Sequence, residues 1–194
     1  MTQMWLELAR DSLVDPREAA RRLLALRFGQ SALLMAAVVV TCLGIILAYA
    51  AIQFDKPDVD AVSAELLGTP LLGALLELAV TLAVGYLTWR IGALFGGRGA
   101  FWDAILLVVW LNAMLLLLQT LQLVALATVP FLAGVVALLR IPWAFWAYAN
   151  FVTELHGFDN RFMVLGSVVL TAIVLFIALA MLFAFLGLTP HEVG

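Results

Sequence analysis

Long apolar runs with no charge or a single charge dominate the pattern of this chain. A transmembrane helix needs about 20 apolar residues to cross about 30 Å of hydrocarbon. One run, residues 104–153, is too long for one crossing, and its polar part near Pro130 favours a turn there. The pattern predicts an all-α, polytopic membrane helix bundle with five transmembrane helices. They are expected at about residues 31–52, 70–94, 104–124, 130–152 and 163–188.

The basic residues indicate how the chain is oriented in the membrane. Five arginines precede the first span: Arg10, Arg17, Arg21, Arg22 and Arg27. The first loop has Lys56 as its one basic residue, against four acids: Asp55, Asp58, Asp60 and Glu65. Because cytoplasmic loops are enriched in Arg and Lys, the amino terminus is predicted to be cytoplasmic. Five spans then place the carboxyl terminus, with His191, on the opposite side.

The amino-acid composition indicates the membrane in which the protein is located. Nearly all basic residues are Arg, and Ala, Leu, Val and Gly are abundant, which is typical of GC-rich bacterial genomes. We therefore expect an integral protein of the bacterial inner membrane, with a periplasmic carboxyl terminus.

Residues 1–30 are predicted to form a cytoplasmic, amphipathic helical segment ahead of a five-span domain at residues 31–190. Asp15 can cap a helix that has Pro16 at its first position and Glu18 where a capping box places its acid. Apolar and arginine side chains then fall on different sides of the helix. Two interpretations are open: the helix lies on anionic lipid headgroups, or its apolar face packs against the spans.

Composition excludes several classes of protein. Apolar residues make up 65% of the 194 residues and charged residues 12%, and mean hydropathy is +1.13. A soluble domain of this size cannot bury so much apolar surface. The net charge of −3 provides no basic field for nucleic acid. Cys42 is the only cysteine, which excludes a disulfide within one chain.

The sequence contains no pattern of a catalytic, cofactor or metal site. The histidines lie outside any HExxH pattern, and no serine occurs in Gly-x-Ser-x-Gly. Glu154 and His156 could supply two metal ligands, but a solvated pair in a loop is the favoured interpretation. We therefore expect no enzyme and neither a cofactor nor a metal.

Two ionisable residues fall at membrane depth, where charge is costly and usually functional. At 1.5 Å per residue, Arg140 lies about 15 Å and Glu77 about 10 Å from the outer ends of their helices. Asn112 and Gln119 share one face of the third span. We predict an intramembrane polar cluster of Glu77, Arg140, Asn112 and Gln119. It would serve either as a clamp between helices or as a pathway for a proton or solute.

Three features occur in an order that resembles a known family. The Pro-containing, Arg-rich helix 15–22 precedes the first span, and the second loop reads Phe95-Gly96-Gly97-Arg98-Gly99-Ala100-Phe101. The fourth loop carries Leu155-His156-Gly157-Phe158. Over most of the chain this arrangement resembles the bacterial branch of the Yip-domain family of Ypt/Rab-interacting proteins.

The resemblance implies a function without catalysis. Eukaryotic members of that family are non-enzymatic membrane proteins of the secretory pathway that oligomerise and contact Rab-type GTPases, and bacterial members have no established reaction. It therefore implies a scaffold or membrane-organising protein, with membrane lipids and other membrane proteins or further copies of itself as partners. The alternative is a small channel or transporter centred on Arg140 and Glu77.

The second loop, Gly96-Gly97-Arg98-Gly99, has two interpretations. Its glycine N–H groups and the Arg98 side chain could bind an anion such as a lipid phosphate. The favoured interpretation is a tight turn between two spans. Gly92 and Gly96 are four residues apart, a spacing that permits close approach of another helix, from the same chain or from another copy.

Overall fold

Within residues 2–54 and 69–185, which are the residues described, the computed structural model contains seven helices. In chain order they are α1 (Thr2–Val14), α2 (Pro16–Ala25), α3 (Gln30–Phe54), α4 (Pro70–Leu94), α5 (Phe101–Thr128), α6 (Pro130–His156) and α7 (Arg161–Phe185). The acidic first loop, residues 186–188 of the predicted fifth span, and the tail with His191 lie outside the described residues.

The helices α3 to α7 are each long and apolar enough to cross a membrane. The predicted all-α membrane bundle is therefore confirmed. The third span is longer than predicted, because α5 continues to Thr128, whose hydroxyl donates to the Val124 carbonyl at 2.9 Å. Val129 alone separates α5 from α6, with φ of −140° and ψ of 84°. It leaves the helical conformation because Pro130 follows, and proline disfavours a helical residue before it.

The helix α5 is the centre of the bundle. It contacts α3, α4 and α6, and it also contacts α2. Its first turns are buried, with Ala104 and Ile105 fully inaccessible. Gly85 of α4 lies so close to Ile105 that a methyl group there would overlap its side chain. The early part of α5 is therefore the core on which the other spans pack.

The helices α1 and α2 cover one end of this bundle, which we call the near end; the far end is the α5–α6 turn. The predicted cap is present, because Asp15 Oδ1 accepts a hydrogen bond from the Glu18 N–H at 3.3 Å. Ala20 and Leu23 of α2 are fully buried against the spans, and α2 contacts both α5 and α6. In the structure, the apolar face of this segment packs against the spans, which is the second of the two interpretations.

The shorter helix α1 is also fixed to the bundle. Trp110 of α5 donates its indole N–H to Ser12 Oγ at 2.8 Å, and Ser12 donates to the Leu8 carbonyl at 2.8 Å. The ring of Trp5 lies 6.0 Å from that of Trp110. A buried tryptophan N–H needs a partner, and α1 supplies it.

Candidate functional site

The imidazole of His156 is buried at the near end, with 3% of the residue exposed. His156 is the last residue of α6, and Gly157 ends the helix with a left-handed φ of +70°. Phe158 stacks on the ring at 5.4 Å between centroids. The expectation that His156 belongs to a solvated loop pair is wrong, because the turn after α6 directs the ring into the bundle rather than into solvent.

Both ring nitrogens of His156 have partners in the protein. The Gly99 N–H donates to Nδ1 at 3.3 Å, so Nδ1 acts as an acceptor and has no proton. Nε2 then bears the proton and donates to the Thr88 carbonyl at 3.1 Å. The Arg98 N–H donates to the His156 carbonyl at 3.3 Å. A neutral His156 thus connects α4, the α4–α5 loop and the end of α6.

Three glycines make room for this ring. A methyl group on Gly92 or on Gly97 would overlap the imidazole, and one on Gly99 would press against the ring and Leu155. Because glycine has no Cβ, the backbone of α4 and of the loop can approach the ring directly. Gly92 of α4 and Gly97 and Gly99 of the second loop therefore pack against His156 at the near end.

The backbone N–H groups of this loop are all engaged within the protein. The Gly96 N–H donates to the Ala93 carbonyl, and the Gly97 N–H donates to the Gly92 carbonyl. The Arg98 and Gly99 N–H groups donate to the carbonyl and to Nδ1 of His156. An anion-binding nest requires free N–H groups. The exposed Arg98 side chain is therefore the group of this loop that can meet an anion, and its contact with a lipid phosphate stays a prediction.

The packing of another helix against Gly92 and Gly96 stays a prediction, and the structure gives the two glycines different surroundings. Gly92 lies in α4 and faces His156 of the same chain. Gly96 follows the end of α4 with φ of +83°, and a Cβ there would meet open space beyond its two chain neighbours. Gly92 permits close contact, whereas Gly96 permits the turn.

Glu154, two residues before His156, fixes α2 to the end of α6. Its carboxylate accepts from Arg17 Nε at 2.9 Å and from Arg21 Nε at 3.1 Å. The hydrogen bond and the attraction from Glu154 raise the pKa of Arg21 above its ordinary value. Because two cations share one carboxylate that is only 17% exposed, Glu154 is a structural anchor and not a solvated residue.

A second group of polar residues surrounds a cavity in the membrane-spanning part. The cavity has a volume of about 240 Å³. Its polar lining comes from three helices: Glu77 of α4, Asn112 and Gln119 of α5, and Arg140 of α6. The structure thus brings all four residues of the predicted cluster to one space, while their role stays a prediction.

The two charged side chains of this cavity do not meet. Among residues 2–54 and 69–185, neither Glu77 nor Arg140 forms an ion pair. The Glu77 carboxylate lies against α3, where a methyl group on Gly44 would be 3.3 Å from Oε1. Asn112 Nδ2 donates to Thr81 Oγ1 at 3.0 Å. The direct contact that a clamp between Glu77 and Arg140 requires is therefore not made.

Sequence reasoning missed His156 and Glu154 as structural residues. The available signal was the spacing of Gly92, Gly97 and Gly99, since close glycines indicate that something bulky approaches the backbone. In the part of the chain that the structure describes, no group of three or more His, Cys, Asp or Glu residues could hold a metal ion.

The contact of Gly92 with the imidazole predicts the effect of adding one methyl group. Gly92→Ala should lower the free energy of unfolding by about 1–3 kcal/mol, because the methyl forces the ring or α4 to move. The measurement is the thermal or denaturant midpoint of the purified protein in detergent micelles. Gly166→Ala is the control, since Gly166 is also helical but has open space around it, and its free energy of unfolding should stay the same or rise by up to about 1 kcal/mol, because alanine favours the helix.

Removing the ring should remove this penalty. In the double variant Gly92→Ala/His156→Ala, the added methyl should cost less than it does beside the intact imidazole. Equal stability of Gly92→Ala and Gly166→Ala would contradict the packing described for the near end.

Comparison with known proteins agrees with this architecture. The profile of the Yip1 domain matches residues 10–183, which include α2, all five spans and both loops that meet at His156. No curated protein and no solved structure matches the chain. Because the profile covers nearly the whole sequence, the chain belongs to the Yip1 domain family.

Proposed function

We propose that the protein is a non-catalytic, membrane-organising scaffold that acts through lipids and through other membrane proteins or further copies of itself. The exposed surface of α7 carries this proposal. The helix α7 packs against α6, while large side chains along its outer side are free, with Phe176 74% and Phe185 89% exposed. A span with one main neighbour offers most of its surface to lipid or to another protein.

The polar residues of the near end support a role without catalysis. His156 has both nitrogens engaged, and Glu154 binds two arginines. A general base or nucleophile must be within reach of a substrate. These residues instead join α2, α4 and α6 to one another.

A pocket beside His156 suits contact with lipid headgroups. It has a volume of about 490 Å³, and its lining includes Arg98, Phe95 and Phe158. Phe95 is 73% exposed next to the exposed Arg98. At a membrane interface, the aromatic ring could contact the upper part of an acyl chain while the arginine binds the lipid phosphate above it.

Photocrosslinking along α7 tests the scaffold role. A photoreactive amino acid at Phe176 should give adducts with a membrane protein or with a second copy, because this side chain points away from the bundle. The same group at Val164, which is 9% exposed and packs against α6, should react within the chain. Adducts of Phe176 with lipid alone, at native expression in intact membranes, would contradict the protein-contact part of the proposal.

The charge pattern supports an orientation with the near end in the cytoplasm, within the bacterial inner membrane that the composition favours. The near end carries the arginines of α2, Arg98 of the α4–α5 loop and Arg161 at the start of α7. Single cysteines at Thr128 and Asp159, in a Cys42→Ser background, test this orientation with an impermeant maleimide. Thr128→Cys should label in intact cells, whereas Asp159→Cys should label only after permeabilisation. The reverse pattern would overturn the orientation.

The cavity that contains Arg140 and Glu77 supports a second candidate, a small channel or transporter. Proteoliposomes should then swell in iso-osmotic urea, glycerol or glycine faster than empty liposomes. Arg140→Ala should return the rate to background, while Arg161→Ala, remote from the cavity, should leave it unchanged. Swelling no faster than in empty liposomes would remove this candidate.

A further inference from the structure

The intramembrane cavity is lined by residues of both α4 and α6, away from the end at which these helices are joined. At the near end these helices are joined through the Thr88 hydroxyl and Tyr148, and through His156 and the Thr88 carbonyl. Nearer the far end, Glu77 of α4 and Arg140 of α6 line the same space without an ion pair in the described part of the chain. The cavity therefore has α4 and α6 as two of its walls, and it is also lined by α5 and by Val40 and Gly44 of α3.

The two walls carry opposite charges that have no partner side chain among the described residues. A charged group at a helix centre costs roughly 2.5–3.5 kcal/mol on insertion scales. Charged residues at membrane depth normally pair with one another or with backbone carbonyls, or they belong to a substrate or ion site. Glu77 and Arg140 line the same cavity and form no ion pair with each other, so a molecule bound there could provide a partner for each charge.

The remaining lining adds hydrogen-bonding groups between these charges. Gln119 presents an amide, and Asn112, whose Nδ2 donates to Thr81, retains its Oδ1 as an acceptor. Val40, Leu115 and Leu116 supply apolar walls. A few polar groups within an apolar lining are typical of small-molecule sites.

The volume restricts the size of the ligand. Typical small-molecule sites measure about 300–1,000 Å³, and this cavity measures about 240 Å³. A ligand with only an anionic group would leave Glu77 without a partner, and one with only a cationic group would leave Arg140 without one. The charge pattern therefore matches a small molecule with both groups.

We propose that this cavity binds a small zwitterion, with its oxyanion at Arg140 and its ammonium group at Glu77. The zwitterion is either free in solution, as an amino acid is, or the ethanolamine phosphate headgroup of a lipid. The proposal goes beyond the scaffold role, because it assigns a ligand class to a cavity that the scaffold role does not use. It can hold or fail independently of the contacts made by α7.

Matched ligands test the assignment on the full-length protein. Glycine, β-alanine and γ-aminobutyrate are titrated by calorimetry in micelles, each against the anion that lacks the amine: acetate, propionate or butyrate. Lipid binding is measured by native mass spectrometry after reconstitution with phosphatidylethanolamine or phosphatidylglycerol. Wild type should bind at least one zwitterion ten times more tightly than its matched anion. Preference in the calorimetry identifies a free zwitterion as the ligand, and preference for phosphatidylethanolamine in the mass spectrometry identifies a lipid headgroup.

The variants assign each end of the ligand. Glu77→Gln should reduce the preference for the zwitterion over the anion to less than about twofold, while Arg140→Gln should lose both ligands. Arg161→Gln, outside the cavity, should behave as wild type. If Arg140→Gln does not fold, Arg140→Lys keeps the cation and should retain binding with a changed preference for chain length.

Two results would overturn the proposal. One is wild-type protein that binds none of the free zwitterions and shows no preference for phosphatidylethanolamine over phosphatidylglycerol. The other is binding at wild-type affinity in both Glu77→Gln and Arg140→Gln, which would place the ligand elsewhere.

Discussion

The close approach of α4 and the following loop to the His156 ring is the constraint on which the near end of the bundle depends. Burial of this imidazole requires partners for both nitrogens, and its close approach to the backbone requires residues without a Cβ. Gly92, Gly97 and Gly99 meet the second condition, while Gly99 N–H and the Thr88 carbonyl meet the first. Because Glu154 lies two residues earlier and binds two arginines of α2, the same end of α6 also fixes the amino-terminal helices.

These contacts at the near end make the bundle asymmetric along the membrane normal. The aromatic, hydroxyl and imidazole contacts between α4 and α6 occur at the near end, where glycine and threonine permit them. Toward the far end the facing residues are Glu77 and Arg140, which line a cavity instead of meeting. The contacts with Thr88 therefore join α4 and α6 at the near end, and the polar cavity lies beyond them toward the far end.

The sequence predicted the features that are local and missed those that join distant residues. The spans depend on runs of about 20 apolar residues, and the Asp15 cap depends on a residue three positions away, so both were predicted correctly. The hydrogen bonds of His156 join residues 57 and 68 positions apart, and Glu154 binds an arginine 137 positions away. Helical rise predicts a depth for Glu77, but it does not predict that the carboxylate lies against Gly44 of another helix.

The absence of that ion pair among the described residues changes how the intramembrane charges are explained. A clamp would offset the insertion cost of each charge by direct attraction, and removing one partner of such a pair is strongly destabilising. Here the attraction between Glu77 and Arg140 acts across a cavity, so it offsets less of the cost. Charged residues without a direct partner at membrane depth are candidates for a binding role rather than for a structural one. On this argument, replacing either charge should weaken ligand binding more than it weakens the fold.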